Sequence, residues 1–203
     1  MTGTEHFDQA APTWDLTERR VQLAHAVASA VASRVLLTKQ LKVLDYGCGT
    51  GLVTLQLGPQ VGSITGADTS PGMLETLAGK ANAMGISVCL FPLDAVGNGD
   101  LGGPYDLVVS SMTLHDVPDV PALFVRLMQH LKSGGWVALA DLDEEDGSFH
   151  GDMAGVHHQG FHRNRVREWL EDAGFGRIQI ETATVTRKEE KDYSVFLATG
   201  QKD

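Results

Sequence analysis

The chain has 203 residues, 42% hydrophobic and 21% charged, which suits one compact α/β domain and excludes a disordered chain. A formal net charge of −10 argues against nucleic-acid and anionic-membrane partners, which select clustered Lys and Arg. No apolar run approaches the roughly 18 residues of a membrane span, and the N-terminus has neither the basic nor the apolar region of a signal peptide.

Asp15-Leu16-Thr17-Glu18 reads as a capping box opening a helix, which Val21, Ala24, Ala28, Val31 and Val35 carry to about Leu37. Short apolar runs then alternate with helix signals. Strands are predicted at 42–46, 63–67, 87–91, 106–110 and 136–142. Between them come a short helix at 52–57 and a second opened by Ser70-Pro71, an N-cap followed by a first-turn proline. A third starts near Asp119 and carries Leu123, Leu127 and Leu131; a fourth runs from about Asn164 to Ala173 and stops at Gly174. Two last runs, 178–186 and 193–198, read as a closing antiparallel pair. No repeat or linker interrupts this order, so residues 1–203 are predicted to form a single domain. Cys48 and Cys89 fall in core segments; the expectation is a cytoplasmic protein without disulfides.

Strand–helix alternation predicts a mostly parallel sheet covered on both faces, with ligands beyond the carboxyl ends of its strands. The strongest motif stands at such an end: Val43-Leu44-Asp45-Tyr46-Gly47-Cys48-Gly49-Thr50-Gly51, a strand entering a glycine turn that lets a nucleotide-like ligand approach the backbone. The next strand ends Gly66-Ala67-Asp68, where a carboxylate can accept hydrogen bonds from ribose hydroxyls. The third is followed by Leu93-Asp94-Ala95, and the fourth runs Tyr105-Asp106-Leu107-Val108-Val109-Ser110-Ser111 into Leu114-His115-Asp116. A dinucleotide fingerprint would place a third glycine where Leu52 stands, which argues against NAD.

With Lys132-Ser133-Gly134-Gly135 before the fifth strand, and Asp68-Thr69-Ser70-Pro71-Gly72-Met73 after the second, the chain resembles the class I S-adenosylmethionine-dependent methyltransferases, in their small-molecule branch. The resemblance covers roughly residues 40–200. It implies a three-layer Rossmann-like fold with a seven-stranded sheet in the order 3-2-1-4-5-7-6, the last strand antiparallel. It also implies S-adenosylmethionine as cofactor and a small-molecule methyl acceptor as partner. By the same resemblance, Gly47 and Gly49 lie against the methionine and ribose portion, and Asp45 supports the glycine turn. Asp68 holds the ribose, Thr69 and Met73 run along the adenine, Asp94 and Ala95 meet its edge, and Ser110 stands near the sulfonium.

Methyl transfer needs chiefly an aligned nucleophile and exclusion of water, with a base only for a protonated acceptor. Candidates for the acceptor side are His115 and the segment 143–162, where His150, His157, His158 and His162 follow a run of carboxylates. Three readings of that segment stand open: a solvated surface loop, an acceptor pocket lined by His150, His157 or His158 with His157 and His158 as the catalytic candidates, and a metal site. Residues 1–38, with Phe7 and Trp14, read either as a lid over the cofactor or as a helix with a hydrophobic staple. A protein that binds the cofactor without turnover is the alternative to an enzyme.

Overall fold

The computed structural model describes residues 3–93, 99–150 and 155–203. Seven strands form one sheet: β1 Lys42–Tyr46, β2 Ser63–Asp68, β3 Cys89–Pro92, β4 Tyr105–Ser111, β5 Leu131–Leu142, β6 Phe175–Lys188 and β7 Lys191–Lys202. Their order is β3-β2-β1-β4-β5-β7-β6, with β7 antiparallel to both neighbours and all other pairs parallel. The predicted topology is therefore the observed one.

Successive side chains of a strand point to opposite faces, so a strand covered on both sides is apolar at every position. In β4, Leu107 and Val109 enter one core with Val43, Ala138, Ala140 and Leu142; Val108 enters the other with Leu44, Val137 and Leu139. Helix α2 (Glu18–Arg34) covers the first face with Leu23, Val27 and Val31. Helices α5 (Val120–Gln129) and α6 (Arg163–Asp172) cover the second with Phe124, Leu127, Val166 and Leu170. Each such side chain, fully buried, contributes about 1.5–3 kcal/mol. Among the described residues no helix is long and apolar enough to cross a membrane.

The helix starts follow local chemistry. Ser70 Oγ accepts from Met73 N–H at 3.1 Å to cap α4 (Pro71–Met84), and Asp119 Oδ1 accepts from Ala122 N–H at 2.9 Å to cap α5. The predicted capping box is corrected: the N-cap of α2 is Thr17, whose side chain makes no cap bond. Asp15 instead accepts from Thr50 Oγ1 at 2.6 Å and pairs with Lys80 at 2.5 Å. Leu131 is also reassigned. Its helical spacing from Leu127 is accidental, since the chain leaves α5 at His130 and Leu131 pairs with Tyr105 at the start of β5. The closing hairpin extends well past its predicted ends because β6 and β7 pair through polar residues up to Lys188 and Lys191.

Candidate functional site

β1 ends at Tyr46, and the backbone passes through Gly47, Gly49 and Gly51 at φ 71, 52 and 83°, a left-handed region that side chains disfavour. At Gly47 space is lacking as well: a Cβ would lie 2.2 Å from Thr113 Cγ2. The turn is fastened to β2, because Gly47 and Cys48 N–H both donate to Ala67 O, at 2.8 and 3.0 Å. Asp68 then accepts from Gly49 N–H at 2.8 Å and Ser70 N–H at 2.9 Å. Burial raises its pKa, against the pull of these backbone donors.

Beneath the turn Asp45 is buried and accepts from Thr54 Oγ1 at 2.6 Å. Burial, reinforced by the Asp68 charge, outweighs that hydrogen bond and lifts its pKa to about 7. Gly47, Gly49, Asp45, Asp68, Thr69 and Met73 all line one cavity of about 530 Å³. Ser110 does not. It is buried, and its Oγ donates to Tyr46 O at 2.8 Å, holding β4 to β1, so its neighbour Ser111 reaches the cavity instead. Asp94 and Ala95 lie outside the described residues.

The opposite wall begins at the end of β4. Met112 takes a left-handed φ of 56°, rare for a side-chain-bearing residue, and the kink presses Thr113 against the glycine turn. The next turn, Leu114–Asp116, carries His115, which is buried except for its edge on the cavity. Its Nδ1 donates to Asp141 Oδ1 at 2.8 Å, and Asp141, on β5, is fully buried. Asp141 also accepts from the backbone N–H of His115 and of Leu142, so both ring and carboxylate are locked. His115 Nε2 lies 3.7 Å from Asp116 Oδ2. Burial alone would keep the ring neutral; the Asp141 charge and hydrogen bond, with Asp116 and Glu145, outweigh it and raise the pKa to about 9. Asp116 is itself pushed up to about 6 by burial, although His115 pulls the other way.

Of the His-rich segment, the ring that reaches this wall is His150, tilted against His115 with centroids 4.6 Å apart. Burial and the positive His115 lower its pKa to about 4, and its buried Nε2 has no hydrogen-bond partner among the described residues. The two predicted catalytic rings are placed elsewhere. His157 is exposed, and the backbone N–H groups of His157 and His158 both donate to His115 O, at 2.8 and 3.1 Å. His158 Nε2 is 2.9 Å from Val117 O. These residues tie the loop to the His115 turn through backbone bonds, which leaves their rings off the cavity wall. His162 is exposed and pairs with Glu144. Among the described residues no three His, Cys, Asp or Glu groups converge as a metal site would require.

The roof comes from the N-terminal segment. In the last turn of helix α1 (Gly3–Ala10), Asp8 accepts from Ser70 Oγ at 2.5 Å and Gly72 N–H at 2.9 Å at the start of α4. Phe7 and Trp14 meet edge to face at 5.8 Å, and the Arg20 guanidinium lies 3.6 Å over the Trp14 ring. Arg19 lies 4.9 Å over Phe149, and Lys188 donates to Phe149 O at 2.7 Å. Phe7, Trp14, Arg19, Arg20, Phe149 and Lys188 all line the cavity. Sequence patterning missed Arg19, Thr113 and Phe149 and gave Asp116 no role, although Asp116 adjoins the predicted His115 and Thr113 stands two residues ahead of it.

A doubly covered sheet with a glycine turn after β1 and a carboxylate closing β2 defines the Rossmann-like methyltransferase class of fold. The chain matches a family described as a methyltransferase domain over residues 16–180, and it belongs to that family. An uncharacterized methyltransferase of Schizosaccharomyces pombe is 31% identical over 156 residues, covering 69% of this chain and 55% of the relative. Aklanonic acid methyltransferase of a Streptomyces species is 28% identical over 159 residues, covering 72% and 67%. Haemonchus contortus phosphoethanolamine N-methyltransferase 2, solved with S-adenosyl-L-methionine, superposes with a TM-score of 0.72 at 16% identity, over 97% of this chain and 60% of that one. The chain thus spans about half the length of the yeast relative.

Proposed function

We propose that this chain transfers a methyl group from S-adenosylmethionine to a small-molecule acceptor, within one domain spanning residues 1–203. The observation that carries this reading is a single cavity with Asp68 and the left-handed glycine turn on one wall and the His115–Asp141 pair on the other. The cofactor would supply an electrophilic methyl on sulfur, and the acceptor's lone pair would displace it.

On this reading Gly47 and Gly49 receive the methionine and ribose portion where a Cβ would obstruct it, and Asp68 accepts from the ribose hydroxyls. Thr69 and Met73 flank the adenine, with Asp94 and Ala95 at its edge. Asp45 braces the turn. Ser110 acts at a distance, through the register of β1 and β4. The carboxylates also favour a ligand of positive charge in this half. His115 holds the acceptor's proton. Asp141 favours the protonated ring, so an acceptor bound as its anion would accept a hydrogen bond from Nε2–H of the imidazolium. His157 and His158 act as positioning residues for His115 through their backbone bonds. Residues 1–38 form the roof that excludes water, and residues 143–162 the acceptor-side loop. Two free cysteines suit a reducing compartment, and we place the protein in the cytoplasm.

Incubation with S-adenosylmethionine and a metabolite extract tests the function. Accumulation of S-adenosylhomocysteine, with a product heavier by one methyl group in place of hydrogen, is the expected result. Cofactor binding without either product would identify a binding protein instead.

A further inference from the structure

The acceptor half of the cavity carries an unpaired cation. Arg19, in the first turn of α2, is half-buried, and its guanidinium lies over the Phe149 ring, 4.9 Å from the centroid. Among the described residues it has neither a carboxylate nor a carbonyl partner. Burial lowers its pKa, although the Tyr193 hydroxyl pulls the other way. The contrast with its neighbours is informative. Arg20 donates to Trp14 O and Thr17 Oγ1, and Lys188 donates to Phe149 O, so both are satisfied inside the protein. Among the described residues, Arg19 is a cavity-lining guanidinium without a hydrogen-bond partner.

Arg19 also stands at the end of a run of ring contacts. From it the run passes through Phe149, which meets His150 edge to face at 5.1 Å, and His150 lies tilted against His115 at 4.6 Å. Its members come from α2, the loop after β5 and the turn after β4. A wall lined by rings suits an aromatic ligand body. Cationic groups gather in the acceptor half, where Arg19, Lys188 and His115 line the cavity with Asp116 beside His115, whereas Asp45 and Asp68 lie in the cofactor half.

Resting on the methyltransferase reading, we propose that the acceptor is an aromatic or conjugated carboxylic acid, its carboxylate bound by Arg19 across the face of Phe149. A carboxylate fits better than a phosphate. One planar guanidinium matches its two oxygens in a fork, whereas a phosphate dianion calls for additional donors, and Lys188 is already engaged. The carboxylate is an anchor at one end of the run, and the nucleophilic atom belongs at the other, beside His115.

Saturation-transfer NMR on the full chain with S-adenosylhomocysteine tests this, using 2-naphthoate and cinnamate, their primary amides, and phenyl phosphate as probes. The acids are expected to bind at least tenfold more tightly than the amides or the phosphate. Arg19→Gln should abolish that preference, and Arg19→Lys should keep part of it. Equal binding of acids and amides, preference for the phosphate, no binding of either acid, or an unaffected Arg19→Gln protein would each overturn the proposal. Calorimetry on the same proteins separates the two readings. Adenosylhomocysteine should bind wild type and Arg19→Gln within twofold, and its failure to bind wild type would bring down the methyltransferase reading itself.

Discussion

The two halves of the cavity are built in different ways. The cofactor half is assembled from short contiguous segments at the ends of adjacent parallel strands, Asp45–Gly51 and Asp68–Met73, and is held by backbone hydrogen bonds between them. The acceptor half draws single side chains from α2, the turn after β4, β5, the loop after it and β6, and is held by side-chain contacts. Backbone-built sites tolerate little change at their glycines. Side-chain-built sites can be retuned one residue at a time without disturbing the sheet.

The largest effect expected from this difference is at Gly47. Gly47→Ala adds a Cβ 2.2 Å from Thr113 at a φ of 71°. It should cost about 2–3 kcal/mol in denaturant unfolding and abolish adenosylhomocysteine binding. Survival of tight binding in that variant would show that the turn is not the cofactor cradle.

Asp141→Asn probes the other half. It removes the charge that raises His115, so the imidazole titration seen by NMR should fall from about 9 to below the ordinary 6.5. Turnover should drop by about 10²-fold or more, with adenosylhomocysteine affinity held within twofold. The linkage has a definite sign. His115 binds its proton more tightly folded than unfolded, so its stabilising contribution is complete below pH 6.5 and is lost as pH rises through about 9. Wild type should therefore lose stability across that window relative to Asp141→Asn, in urea titrations at a series of pH values.

A smaller change is expected at Asp68. Asp68→Ala should weaken S-adenosylmethionine and adenosylhomocysteine alike by about 1.5–3 kcal/mol by calorimetry, the range for hydrogen bonds to a charged group. Unchanged affinity in a folded variant would remove Asp68 from the nucleotide site.

The histidines sharpen the comparison within the acceptor half. His150→Ala should lower turnover roughly tenfold, because the ring lines the wall. His157→Ala should leave it within about twofold, because its tie to His115 uses the backbone. A reversed order would mean that the loop closes differently around the acceptor.

Gly79 shows the smallest effect, with opposite sign. It lies inside α4 with nothing within 4 Å of a built Cβ, so Gly79→Ala should stabilise the protein by about 0.5–1 kcal/mol in the same unfolding assay.

Much of the fold was legible in the chain itself, because its signals are local. Period-two and continuous apolar runs mark the strands, Ser70 and Asp119 mark helix starts, and Gly174 at φ 95° marks an end. Where local signals mislead, a tertiary partner competes. Asp15 has the form of a cap, but Thr50 and Lys80 lie within its reach once the N-terminal segment crosses the glycine turn. Leu131 keeps helical spacing, yet pairing with Tyr105 places it in the sheet.

The same division runs through the site. The amino-acid sequence by itself determined the family, the strand order that follows from it, and the carboxylates and glycines at the ends of β1 and β2. The glycines and carboxylates stand in short motifs a few positions apart, and the family resemblance those motifs carry is what implies the strand order. Only the tertiary structure decided that Asp141 is the partner of His115, 26 residues away. It also decided that His150 rather than His157 reaches the cavity, and that Arg19 faces Phe149. Such contacts join distant segments through side-chain packing, and that packing exists only after the sheet has brought its strand ends together.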